Sequence, residues 1–131
     1  MPTMTHQNIA AATPVPSAET VIAASPVTNV NPATTSKIII RATFNLLAGT
    51  GTTAIVARLR QGNGTGGTPL ATGTITLAAG NNGGGVISVE DSPVWLAAPA
   101  NGGQYCLTLA QTGGSANGSM NAGDLQVDSL P

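Results

Sequence analysis

Catalysis by a thiolate or an activated hydroxyl needs a base within hydrogen-bond reach of the nucleophile. This chain has one histidine, His6, and one cysteine, Cys106, far apart in sequence, so no Cys–His or Ser–His arrangement is visible. Cys106 lies in the apolar run QYCLTLA (Gln104 to Ala110), where it reads as a small buried hydrophobe, and a lone cysteine excludes an internal disulfide. Acid–base work by paired carboxylates fares no better. Glu90 and Asp91 are adjacent, so in an extended chain they point to opposite sides, as at a solvated strand end. Asp124 and Asp128 are spaced to share a strand face, but two carboxylates alone make a poor calcium site. No metal centre is expected.

Two further patterns resemble functional motifs. Gly62 to Gly67 reads GNGTGG and matches the glycine fingerprint of dinucleotide sites, which must end a strand and open a helix. The residues that follow, TPLATGTITL, are β-like and contain Pro69, so the glycines belong to a hairpin loop and no cofactor is implied. Arg58 and Arg60 share a strand face with Val56, either as a small anion-binding patch or as a solvated outer face. Asn63-Gly64-Thr65 and Asn117-Gly118-Ser119 fit the glycosylation pattern but read as Asn-Gly turns. The expectation is that the protein is not an enzyme.

Composition narrows the partners. Four Lys or Arg against five Asp or Glu leave a formal net charge of −1, without the basic cluster that binding a phosphate backbone requires. No nucleic acid is expected. No apolar run is long enough for a transmembrane helix, and the N-terminus lacks the basic start and apolar core of a secretory signal, so no membrane partner is expected either. Charged residues make up only 7% of the chain, fewer than a freely solvated monomer usually carries. Burial of surface against copies of itself or another protein follows as an expectation.

These side chains must be positioned by strands. With 17 Gly and 9 Pro in 131 residues, no long helix survives, and with 2% aromatic residues the core must be built from Ile, Val, Leu and Ala. KIIIRATFN (Lys37 to Asn45) alternates, with Ile38, Ile40, Ala42 and Phe44 on a core face. TAIVARLRQ (Thr53 to Gln61), LATGTITL (Leu70 to Leu77), VISVE (Val86 to Glu90), QYCLTLA and MNAGDLQVDSL (Met120 to Leu130) follow, and ETVIAASPV (Glu19 to Val27) precedes them as a strand confined to an edge or end by Pro26. Seven to eight strands punctuated by Gly and Asn turns predict an all-β fold, an antiparallel β-sandwich of jelly-roll or Greek-key topology over residues 19–131. Residues 1–18, with Pro2, Pro14 and Pro16 and no usable period, predict an extended N-terminal arm that adds little to the subunit's own core.

Some apolar residues sit where a half-solvated sandwich has no use for them. Ile39 lies on the face opposite Ile38 and Ile40; Val94, Trp95 and Leu96 fall in an irregular connection and must plug the end of the sandwich or meet another chain; Met4 and Ile9 interrupt a polar arm. All six are candidate interface residues.

The strings KIIIRATFN, TAIVARLRQG and GGQYCLTLAQTGG, followed by SANGSMNAGDLQVDSL, resemble the small jelly-roll virion proteins of tailed bacteriophages, which have a TNF-like look. The likeness covers about residues 19–131 and rests on strand pattern and turn chemistry. It implies a structural virion protein on the capsid surface: a decoration, cement or head-fibre protein that forms a homotrimer and binds the major capsid protein or another virion protein. A receptor- or carbohydrate-binding module is the alternative, although two of the three aromatic residues, Phe44 and Tyr105, are expected to be buried and unavailable to stack a sugar.

Overall fold

Alternation of apolar and polar side chains becomes strand after strand. The computed structural model describes residues 3–9, 13–26, 33–48, 51–92, 95, 103–113 and 118–131. In it the strands are β1 (Thr3–Ile9), β2 (Thr13–Pro14), β3 (Thr20–Ala24), β4 (Lys37–Leu47), β5 (Thr53–Gln61), β6 (Pro69–Leu77), β7 (Asn82–Asp91), β8 (Tyr105–Gly113) and β9 (Ser119–Leu130). A front sheet has the order β1-β9-β4-β7, with the short β2 also paired to β9, and a back sheet has the order β3-β8-β5-β6. Of these neighbours only β5 and β6 are consecutive in the chain, so the connections otherwise pass between or across the sheets. The expected all-β antiparallel sandwich of jelly-roll type is what forms.

The core lies where the inward faces meet. Ile38, Ile40, Ala42, Phe44 and Leu46 of β4 and Leu125 and Val127 of β9 pack toward Ile55, Ala57 and Leu59 of β5 and Tyr105, Leu107 and Leu109 of β8, all of them buried. Phe44, the only phenylalanine, is paired in register with Gly85 on β7 and Gly123 on β9. Its ring takes the room left at Gly85, where a Cβ would come within 2.8 Å of the ring edge, while the room at Gly123 is taken by Ile9, whose Cδ1 would lie 2.9 Å from a Cβ there, beside Thr43 O at 3.1 Å. The run Gly83 to Gly85 is therefore strand, and β7 extends four residues before the VISVE segment that the pattern marks.

The N-terminal segment departs from expectation. Residues 3–9 are extended, but β1 is hydrogen-bonded along β9 from Thr3↔Ser129 to Ile9↔Gly123, and Ile9 and Val15 are buried members of the core. Val15 N donates to Gly118 O at 3.0 Å, and Pro16 O accepts from Gln111 N at 2.9 Å. Backbone pairing along an otherwise open edge asks nothing of side-chain periodicity, which is why no amphipathic signal announces it. Among the described residues there are nine strands, because this segment supplies β1 and β2.

Two outcomes follow. Gly85→Ala is expected to lower stability by about 1–3 kcal/mol through overpacking against Phe44, while Gly84→Ala, whose Cβ meets only Phe44 O at 3.5 Å, leaves the thermal midpoint unchanged or slightly raised. Deleting residues 1–18 is expected to lower the midpoint of the isolated subunit, since it strips β9 of a partner and removes two core residues each worth about 1.5–3 kcal/mol. Thermal unfolding of the variants followed by circular dichroism measures both.

Candidate functional site

Polar chemistry in this molecule gathers in three places. On the outer face of the back sheet, Arg58 and Arg60 of β5 meet Glu19, which stands just before β3. Arg60 Nε and Nη2 donate to the two Glu19 oxygens at 2.9 and 3.0 Å, a forked pairing, and Arg58 Nη1 lies 3.5 Å from Oε1. Thr108 Oγ1 of β8 donates to the same carboxylate at 2.6 Å, and Arg60 Nη1 reaches Gly67 O at 2.7 Å, tying down the β5–β6 loop. Cys106 lies buried beneath that loop, 3.9 Å from Gly64 O, with its thiol pushed up by burial and so held protonated. The arginine pair is therefore neither a free anion patch nor a merely solvated face. Hydrogen bonding from Arg60, assisted by Thr108 and by the charge of both arginines, outweighs burial and holds the Glu19 carboxyl below its ordinary range.

A second cluster closes one end of the sandwich. Asp91, at the end of β7, accepts from Tyr105 Oη at 2.8 Å and from Gln61 Nε2 at 2.9 Å, joining β7 to β8 and β5. Burial, then the adjacent Asp91 carboxylate, push the Tyr105 phenol far above its usual range, so it stays a donor. Trp95 lies half-buried against the core with its ring 5.3 Å from that of Tyr105. For Trp95 the plug is the arrangement seen; Val94 and Leu96 lie outside the described residues. Glu90 is exposed beside Lys37 at 3.5 Å, as a solvated strand end should be. Half-buried Asp91 is not: the reading of both carboxylates as solvent-facing fails because the hydroxyl of buried Tyr105 needs an acceptor, and Asp91 supplies it.

The third place is the outer face of the front sheet. Pairing sets Ile39 between Glu90 and Asp128, Arg41 between Ser88 and Gln126, and Thr43 between Val86 and Asp124. Ile39 is half-buried there, and β1 does not cover it, because β1 continues the sheet beyond β9 rather than crossing its face. Met4 pairs with Asp128 in β1, its side chain outside the described part, whereas Ile9 faces the core and is corrected from interface to packing residue. Thr43, Asn45, Gly84 and Val86 border a shallow, open depression of about 590 Å³. Asn45 Oδ1 is buried there without a hydrogen-bond partner, and Val86 is 66% exposed. Asn45 is outward-facing by the alternation of β4, and Gly84, Gly85 and Gly123, which lack side chains, line the depression with it. Gln126 Nε2 reaches both Asp128 oxygens, at 3.1 and 3.3 Å, and among the described residues no three His, Cys, Asp or Glu side chains converge as metal ligands.

Of the three, the first two hold the sandwich together and the third faces outward. The Glu19 cluster has a testable pH signature. A carboxyl lowered by folding contributes stability that is full above its unfolded value, near 4.5, and is lost as pH falls through the folded value. Glu19→Gln should cost about 1–3 kcal/mol at neutral pH by leaving Arg60 underpartnered, and should flatten the loss of stability that the parent shows below about pH 4.5. Chemical denaturation across the acid range measures this.

No protein-family model matches the chain, and no curated protein does. Similar folds occur among solved structures. A chain of the infectious bursal disease virus T13 particle aligns over 97% of this chain at 11% identity with a TM-score of 0.63, and one from the VP2 subviral particle of the same virus over 97% at 15% identity and 0.59. This chain spans about a third of the length of those viral chains, 31% and 32%. Eiger TNF from S. frugiperda aligns over all of this chain and 92% of its own, at 11% identity and 0.54. At such identities the likeness concerns fold, and the fold it establishes is a two-sheet antiparallel jelly-roll sandwich shared with a TNF and with virus-particle chains.

Proposed function

We propose that this protein is a structural virion protein, a capsid decoration or cement subunit that forms trimers on the particle surface and binds the major capsid protein. The observation that carries the reading is where the charged groups go. Glu19, Arg58, Arg60 and Asp91 are engaged with one another or with Thr108, Tyr105 and Gln61 in holding the sandwich together, while Lys37, Arg41, Glu90, Asp124 and Asp128 are spread over the outer face of the front sheet with both signs mixed, and apolar Val86 and Leu47 are exposed. Such a surface suits association by shape and multivalency rather than turnover. On this reading the protein catalyses no reaction. The jelly-roll likeness to virus-particle chains supports the choice of a virion over other assemblies.

A receptor- or carbohydrate-binding module is the second reading, favoured by the depression at Thr43, Asn45, Gly84 and Val86, where the Asn45 side chain has an unsatisfied oxygen and lines the wall a ligand would meet. Cryo-electron microscopy and mass spectrometry of purified native particles separate the two. The first reading expects the protein at many copies per particle, as trimeric lobes seated on the capsid lattice. Its absence from particles, or its confinement to fibre tips together with glycan binding that Asn45→Ala abolishes, overturns that reading.

A further inference from the structure

The front sheet ends at β7, and that edge is unguarded. Among the described residues no strand pairs with the outer side of β7. Its pairing with β4 runs without a bulge from Ile38↔Asp91 to Leu47↔Asn82. The sequence NGGGVISVED carries no Lys or Pro to blunt the edge, and its two charged residues, Glu90 and Asp91, stand together at its C-terminal end. Elsewhere those devices are present: β3 is bulged between Val21 and Ala23 and followed by Pro26, and β6 opens on Pro69 beside a register shift. Val86, the most exposed large hydrophobic side chain among the described residues, sits near the midpoint of β7.

We propose that β7 pairs with β7 of a second copy of this chain, antiparallel about a two-fold axis through Val86. The register follows from charge and length. A parallel pair would set Glu90 against Glu90 and Asp91 against Asp91, like charges directly opposite one another. An antiparallel pair centred on Val86 sets Ser88 against Gly84 and Glu90 against Asn82, keeps the acidic ends of the two copies apart, and overlaps nearly the whole strand. Lys37, 3.5 Å from Glu90, offsets the one carboxylate drawn toward the junction. Centring on Ser88 instead would set Val86 against Glu90, and centring on Gly84 would leave the residues of β7 after Val86 unpaired. Only the Val86 centre puts the exposed valines together, and it leaves Gly84 free to admit a neighbouring backbone. The contact stands apart from the capsid reading; where trimers form, it joins one trimer to the next.

The test is disulfide trapping in the full chain, with Cys106 as a silent background because its thiol is buried. Residues directly opposite in an antiparallel pair hold their Cβ atoms about 4.5–5.5 Å apart, within reach of a disulfide after modest adjustment. Under copper-phenanthroline oxidation at micromolar protein, Val86→Cys is expected to give a reducible dimer at least about tenfold more abundant than Ser88→Cys, whose own copy lies across from Gly84. An equimolar mixture of Ser88→Cys and Gly84→Cys is expected to regain the dimer as a heterotypic pair. Each variant is first shown to keep the parent's thermal midpoint. Failure of folded Val86→Cys to crosslink, or equal yields from Val86→Cys and Ser88→Cys, overturns the β7 contact. Absence of the protein from particles alongside a positive crosslink overturns the capsid reading alone.

Discussion

A strand buried on both faces is the constraint around which this sandwich is built. Tyr105, Leu107 and Leu109 of β8 point into the core, yet Cys106, Thr108 and Ala110, on the opposite face, are buried as well. The back sheet therefore cannot simply turn its outer side to water at β8. It needs a lid, and the lid must satisfy a buried hydroxyl. Glu19, with both arginines of β5 on it, accepts the Thr108 proton from above, while Arg60 also draws the Gly64–Gly67 turn over Cys106. A charged cluster that would be marginal on an open surface becomes structural here, because it covers a strand and fixes the approach to β3 in one arrangement.

The same strand sets the second cluster. Tyr105 is fully buried and its phenolic hydroxyl must have a partner, which Asp91 supplies from the front sheet. The tyrosine thereby bridges the two sheets at the end opened by β7, with Trp95 against its ring. Polar groups thus lock the layers at defined points, and the aliphatic side chains between them fill volume. Missing side chains are filled in the same way: the Phe44 ring occupies the space at Gly85 on β7, and Ile9 of β1 occupies that at Gly123 on β9.

What the sequence disclosed depended on whether side chains or backbone held an element. β4 and β5 bury one face in strict alternation, and their core residues, with Tyr105, Leu107 and Leu109 of β8, could be named from period alone. β1 and the start of β7 could not. β1 is held by main-chain pairing to β9, and three consecutive glycines in β7 look like a loop until Gly83 is seen against Leu77 and Gly85 against the Phe44 ring. Arg58 and Arg60 were recognisable as neighbours on one face, but their carboxylate lies 39 and 41 residues away in sequence (58 − 19 and 60 − 19), and only topology brings it there. Asp91 was mistaken for a solvated group for the same reason: its partner belongs to another sheet.

Spending charge indoors has a consequence for the surface. Proteins commonly keep sheet edges apart with lysine, and this chain has four basic side chains, two of which are committed to Glu19. Proline and bulges guard β3 and β6. For the front sheet the N-terminal segment does the same work by supplying β1 as a partner for β9, at the cost of ordering a stretch that, among the described residues, brings the core Ile9 and Val15. β7 has received none of these devices. A regular, uncharged-centred edge left open on a free monomer invites indiscriminate pairing, so its persistence in a foldable chain argues for an edge whose pairing is part of the working state.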